Sequence, residues 1–162
     1  TALEYTNRSI ELDPLDISVY SQLGVIFNEM DDFDLARKSY AAGLKVDPDD
    51  MRCRAGLAST LIKLGKLDEA KRELIEANKK GGEDHPLVIS VSALLDSLSE
   101  QKKEAVDKIE AVLTTESSSL DILILAYQIM VNLEEDERAE EILETMQSLA
   151  PDDARVMTAL LG

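Results

Sequence analysis

The residues best suited to nucleophilic catalysis are few in this 162-residue chain. Its single histidine, His85, precedes Pro86 in a polar segment, and its single cysteine, Cys53, lies 32 positions away in a stretch with helical periodicity. A catalytic nucleophile needs a base within hydrogen-bond reach, and nothing in this spacing brings the two together. One cysteine also excludes an intrachain disulfide. We therefore interpret Cys53 as a packed core residue and His85 as a solvated loop residue.

Carboxylates are abundant, and paired carboxylates can act as a general acid and base or bind metal ions. The run at Glu134–Glu137 and Glu140–Glu141 is typical of a solvated helix face. A calcium loop needs alternating Asp or Asn, a central Gly and a terminal Glu, and Asp31–Ala36 lacks that order. The sequence also contains no Gly-rich phosphate loop and no Cys-x-x-Cys pair. We predict no enzyme activity, no cofactor and no metal site.

The composition favours a helical protein with a packed core. Hydrophobic residues make up 44% of the chain and charged residues 31%, so the chain has no signature of disorder. Aromatic residues make up only 4%, and tryptophan is absent. This composition suits helices rich in Leu, Ala and Ile better than a β-sandwich.

The charge argues against two classes of partner. A formal net charge of −16 disfavours nucleic acids and anionic membranes, because both are polyanions. The longest apolar run, Ile122–Val131, is far shorter than the ~20 residues of a membrane-spanning helix. We therefore predict no nucleic-acid partner and no membrane insertion. The lack of disulfides is compatible with the cytosol, so a cytoplasmic location is favoured.

Apolar residues at three- and four-residue spacing predict two helices, Ile17–Glu29 and Phe33–Val46. Asp31 and Asp32 separate them, and Asp47-Pro48 ends the second. Glycine is unfavourable inside a helix, so glycines here indicate a close approach between helices. Large rings would fill the space around these contacts. The small residues are Gly24, Ala36 and Gly43, and the rings are Tyr20, Phe27 and Tyr40.

This helix pair resembles the tetratricopeptide repeat, a 34-residue helix–turn–helix unit. The matches follow the order aromatic, Leu-Gly, aromatic, Ala, aromatic, small residue and Pro. They are Tyr20, Leu23, Gly24, Phe27, Ala36, Tyr40, Gly43 and Pro48. The resemblance implies an all-α fold, a right-handed superhelical solenoid of stacked antiparallel helix pairs. It says little about function, because the family has many unrelated roles.

The 34-residue period continues along the chain and predicts one solenoid domain. Residues 1–16 are expected to contain the second helix of a preceding repeat, and residues 154–162 to begin a further one. Four repeats lie between these two segments. In the third repeat, Ser92 and Asp96 replace a leucine and an aromatic residue, so we expect that repeat to be the least stable. The four repeats are residues 17–50, 51–85, 86–119 and 120–153.

The resemblance implies that the first helix of each repeat lines a concave groove for a partner peptide. The candidate groove residues are those not used for packing within a repeat. They are Ser18, Ser21, Val25, Arg52, Ser59, Ile62, Lys63, Leu87, Leu94, Leu98, Ile124, Gln128 and Val131. The first half is small and polar, with two cations suited to an acidic group, and the second half is apolar. The alternative is that Leu94, Ile124 and Val131 pack against neighbouring repeats.

One class within this family holds the C-terminal carboxylate of heat-shock chaperones with Lys, Asn and Arg side chains. This chain departs from that pattern, because Ser21, Val25, Gly56 and Val91 stand at such clamp positions. The sequence therefore argues against a chaperone clamp.

The resemblance implies a scaffold or adaptor that binds a partner protein, as a peptide or helix, in the concave groove. The alternative is self-association through the solenoid ends, which would make the protein a homo-oligomer. A third interpretation is a regulatory region of a larger signalling or assembly protein.

Overall fold

The computed structural model describes Glu4, Arg8, residues 13–115 and residues 119–161. These residues form nine α-helices, a short 3-10 helix at Gly82–Asp84, and no β-strand. The expected helix within residues 1–16 lies largely outside the described residues. The helices are α1 Ile17–Glu29, α2 Phe33–Val46, α3 Met51–Lys63, α4 Leu67–Lys79, α5 Pro86–Ser97, α6 Lys102–Leu113, α7 Leu120–Leu133, α8 Asp136–Leu149 and α9 Ala154–Leu161.

Helices α1 and α2 have the predicted bounds, and acidic caps explain where several helices begin. The carboxylate of Asp32 accepts a hydrogen bond from the Leu35 N–H at 3.2 Å. Asp50 does the same for the Cys53 N–H at 2.6 Å. Each carboxylate satisfies a backbone donor that the first turn of a helix leaves free.

The turn between the two helices of a repeat contains a residue with left-handed backbone in three cases. These residues are Asp31 (φ 57°), Gly65 (φ 71°) and Glu134 (φ 61°). The equivalent turn of the third repeat, around Glu100, has no left-handed residue among those described. The third repeat therefore departs from the others in backbone as well as in sequence.

The chain forms two compact units, Thr1–Val88 and Ile89–Gly162. In the first unit, α1 packs on α2, α2 on α3, and α3 on α4, as expected for consecutive helix pairs. Its core is built from small and apolar side chains on the inner faces of these helices. Among them are Ala36, Tyr40, Ala58, Leu61, Ala70, Leu74 and Ala77.

The ring of Tyr40 lies between two glycines on two different helices. A methyl group on Gly24 of α1, or on Gly56 of α3, would overlap this ring. Tyr40 is 4% exposed. The predicted close approach between helices at Gly24 is confirmed. Gly56, which the resemblance places at a clamp position, instead supports the other side of the same ring.

Cys53 is a core residue, as predicted from its helical context. It is fully buried, and a methyl group on Gly43 would contact its Sγ at 2.5 Å. Burial, together with the neighbouring Asp50 carboxylate, raises the pKa of the Cys53 thiol to about 12. The reactive thiolate is therefore disfavoured at neutral pH.

In the second unit, α6 contacts α7, α7 packs on α8, and α8 contacts α9. Its largest buried side chains include Ile109, Ile129, Met130 and Met146. Arg155 of α9 donates hydrogen bonds to Asp121 at 2.7 Å and to Asp153 at 2.9 Å. This network holds the first turn of α9 against the first turn of α7.

A polar network occupies the third repeat at the positions where leucine and an aromatic residue are expected. The Lys108 ammonium donates hydrogen bonds to Ser92 Oγ at 2.9 Å and to Asp96 Oδ2 at 2.5 Å. The Asp96 side chain is only 14% exposed. Lys108 on α6 therefore compensates for the two polar substitutions on α5.

We expect Lys108→Ala to reduce the free energy of unfolding by about 1–2 kcal/mol, because Asp96 would be left in a largely buried position without its cation. The partial exposure of Lys108 keeps the effect below that of a fully buried pair. Urea unfolding followed by circular dichroism measures the change. Lys102→Ala, at an exposed position of the same helix, is the control. A loss no larger than that of the control would show that the network contributes nothing to stability.

Candidate functional site

Hydrogen bonds between side chains join the first helices of consecutive repeats within each unit. In the first unit, the Asn28 amide on α1 donates to Thr60 Oγ1 on α3 at 3.0 Å. In the second unit, the Asn132 amide on α7 donates to Ser97 Oγ on α5 at 3.4 Å. Thr60 and Ser97 are buried. The two first helices that each bond joins thus lie side by side. The candidate groove residues of these helices are taken as one face within each unit.

In the first unit, this face is polar. Of the candidate groove residues in this unit, Ser18, Arg52 and Lys63 are exposed. Ile62 is only 8% exposed, so it belongs to the core and is not available as a groove residue. The half-buried candidates are Ser21, Val25, Ser59 and Leu87.

The two cations of this face differ in their surroundings. The Lys63 ammonium lies 5.4 Å from the centre of the Phe33 ring. Partial burial lowers the pKa of Lys63, an effect that Asp31 and Glu29 oppose. Lys63 is therefore engaged by residues of its own unit, and Arg52 is the better placed cation for an acidic ligand.

In the second unit, two large apolar side chains are exposed near the Ser97–Asn132 hydrogen bond. Leu98 and Val131 are 46% and 48% exposed, and they neighbour the hydrogen-bonded residues Ser97 and Asn132 in sequence. We call these two side chains the Leu98–Val131 patch. The candidates Ile124 and Gln128 are half-buried on α7.

Leu94 does not belong to the accessible surface of the second unit. It is 5% exposed, so its predicted role as an exposed anchor is wrong. The helical spacing places Leu94 one turn from Leu98, but the side chain packs into the core. The alternative interpretation, that such residues pack within the array, holds for Leu94.

A second surface was not predicted from the sequence. It is an open groove of about 460 Å³ on the second-helix side of the second unit, which we call the α8 groove. Its walls come from three helices, so no single stretch of sequence reveals it. Its apolar lining consists of Leu113, Leu123, Ile142 and Leu149.

These surfaces offer hydrogen-bonding, cationic and apolar contacts. In the part of the chain that the structure describes, no group of three or more His, Cys, Asp or Glu side chains is placed to hold a metal ion. Among the same residues, no helix combines the length and apolar character needed to cross a membrane.

Residues 27–95 match the tetratricopeptide repeat family model. Anaphase-promoting complex subunit 3 of Schizosaccharomyces pombe is 24% identical over 155 residues, which are 96% of this chain and 23% of that protein. Protein SULFUR DEFICIENCY-INDUCED 2 of Arabidopsis thaliana is 32% identical over 91 residues, or 54% of this chain and 30% of that protein. The chain therefore spans less than a third of the length of either relative.

Two solved structures share the fold. TTC0263, a thermophilic tetratricopeptide-repeat protein of Thermus thermophilus, has a TM-score of 0.71 at 16% identity, over 99% of this chain and 89% of that chain. YrrB, described as a tetratricopeptide-repeat protein with an unusual peptide-binding site, has a TM-score of 0.52 at 19% identity. The similarity covers 99% of this chain and 82% of that chain. The family match confirms the resemblance to the tetratricopeptide repeat over residues 27–95, and the two solved structures share the all-α fold of helix pairs.

Proposed function

We propose that the protein is a non-enzymatic scaffold that binds a partner peptide or helix in the groove that its first helices line. The Leu98–Val131 patch is the apolar anchor in the second unit. Arg52 is a separate contact for an acidic group on the first unit. Proteins with this fold generally mediate protein–protein interactions, and the proposal assigns that role to particular residues.

The single observation that carries the proposal is the exposure of two large apolar side chains on a strongly charged unit. Residues 89–162 contain sixteen Asp and Glu but only five Lys and Arg. Leu98, in the turn after α5, and Val131, on α7, nevertheless remain about half exposed. Covering apolar surface contributes roughly 25 cal/mol per Å². Exposed apolar side chains next in sequence to the hydrogen-bonded pair Ser97 and Asn132 therefore favour an interaction surface over a purely solvated one.

The sequence relatives support an assembly role without specifying a partner. The Schizosaccharomyces pombe relative is by name a subunit of a complex, and the similarity covers 96% of this chain. The matching segment is a minor part of that protein, so its partners do not transfer directly. The partner of this chain has to be found by experiment.

Self-association is a second candidate, because α9 carries a separate exposed apolar face. Met157, Leu160 and Leu161 are 52%, 45% and 88% exposed. Two copies pairing through α9 would bury these side chains. The net charge of −16 opposes such pairing, most strongly at low salt. Light scattering across a concentration series distinguishes a dimer from a monomer.

The experiment is an affinity capture followed by titration of each variant against the recovered partner. We expect Leu98→Ser/Val131→Ser to weaken binding about ten- to a hundredfold, because each half-exposed anchor loses apolar burial. Arg52→Ala should have a smaller effect that shrinks as salt increases. Ile75→Ser, at a 45% exposed position of α4, is the matched control. Circular dichroism first establishes that all variants fold.

Variants of the Leu98–Val131 patch and of α9 separate the two candidate surfaces. If Leu98→Ser/Val131→Ser binds like the parent, the proposed surface is wrong. If Met157→Ser or Leu160→Ser abolishes binding or dimer formation instead, self-association through α9 replaces the proposal.

A further inference from the structure

The α8 groove has a buried apolar floor and an exposed apolar rim. Leu123 of α7 and Ile142 of α8 form the floor and are 5% and 3% exposed. Leu149, in the last turn of α8, is 58% exposed at the rim. Leu113, at the end of α6, is half-buried opposite.

Arg138 forms a rigid wall of this groove. Its guanidinium donates to both carboxylate oxygens of Glu110 on α6, at 2.7 and 2.8 Å. A third hydrogen bond runs to Glu141 at 2.5 Å. These bonds raise the pKa of Arg138 above its ordinary value. Because a bidentate pair fixes both geometry and charge, the wall is preorganised for binding.

A line of carboxylates runs along one side of the groove. Glu137, Glu141 and Glu144 are separated by four and three residues on α8, so they share one face of the helix, and Glu141 of this face also lines the groove. All three are exposed, and only Glu141 is paired with Arg138. The line spans about 10 Å, or two helical turns.

We propose that the α8 groove docks a basic amphipathic helix of a partner protein. Apolar side chains of that helix would occupy the groove, and its Lys or Arg side chains would lie along Glu137, Glu141 and Glu144. The charge of the second unit selects this partner, because sixteen acidic residues against five basic ones attract a cationic ligand and repel another copy of the chain. This surface is formed by α6, α7 and α8, and its lining contains neither Leu98 nor Val131.

The test uses a synthetic peptide of about 18 residues made of Leu and Lys, with Leu at helical spacing on one face. A peptide of the same composition in scrambled order is the control for charge alone. Fluorescence anisotropy with the full chain at about 50 mM salt measures both affinities. We expect the amphipathic peptide to bind at least tenfold more tightly than the scrambled one.

Two variants probe the apolar and the charged side of the groove. We expect Leu149→Ser to weaken peptide binding about tenfold, through loss of a rim contact. Glu137→Gln/Glu144→Gln should weaken it about three- to tenfold at low salt, with the difference lost near 0.5 M salt. Glu104→Gln/Asp107→Asn removes the same charge from exposed positions of α6 and is the matched control.

Several results would overturn this proposal. They are equal affinity for the two peptides, no binding of the amphipathic peptide, an unchanged affinity for Leu149→Ser, or an equal loss in the charge control. If Leu98→Ser/Val131→Ser weakens binding of the amphipathic peptide instead, the Leu98–Val131 patch binds the peptide and the α8 groove does not. Methyl resonances of Leu123 and Ile142 provide an independent readout, because they should shift on binding while that of Val131 should not.

Discussion

Replacing Tyr40 with alanine is expected to reduce the free energy of unfolding by about 3–5 kcal/mol, the range for truncating a buried aromatic side chain. The ring is 4% exposed and fills the space that Gly24 and Gly56 leave on its two sides. Neither glycine has a side chain that could relax into the cavity. The cavity therefore persists, and the contact between α1, α2 and α3 is lost.

Urea unfolding followed by circular dichroism measures this loss. Tyr20→Ala is the matched control, because Tyr20 is only half-buried and its hydroxyl donates to the Pro14 carbonyl at 2.9 Å. We expect the control to cost clearly less than Tyr40→Ala. A loss below about 1 kcal/mol at Tyr40 would mean that the ring is not the centre of this packing.

Gly24→Leu is expected to cost roughly 1–3 kcal/mol through overpacking, because even a methyl group at this position overlaps the Tyr40 ring. The same substitution in a Tyr40→Ala background should cost much less, since the space is then vacant. A double-mutant cycle therefore gives a large coupling energy between the two positions.

Strict additivity of the two substitutions would contradict this packing. Gly65→Ala distinguishes the effect of close contact from that of glycine in general, because a methyl group at Gly65 meets nothing within 4 Å. Its left-handed backbone still makes the alanine strained, at a cost of about 1 kcal/mol. That cost should be independent of Tyr40.

The sequence predicted the helices and the closest contact within a repeat. Helical spacing identified the bounds of α1 and α2, because acidic residues and Pro48 interrupt the apolar pattern at their ends. The repeat motif identified the contact between Gly24 and its second helix. Both depend on residues near one another in the chain, where periodicity determines which side chains meet.

The contacts between repeats were harder to predict. Gly56 supports Tyr40 from the following repeat, and Ile62 and Leu94 are buried although their helical positions suggested a free face. Lys108 supplies the partner that Asp96 lacks within its own helix. Each contact depends on how closely neighbouring helices approach, which the pattern of one helix does not specify.

The location of the bound partner distinguishes a site on the first helices from every alternative surface. Methyl NMR spectra of the intact chain, recorded during titration with the recovered partner, locate it without mutation. The proposed function predicts the largest shifts at Leu98 and Val131, with Met157 and Leu160 unchanged. Shifts confined to α9, or to Leu149 and Ile142 of the α8 groove, would contradict a partner site on the first helices.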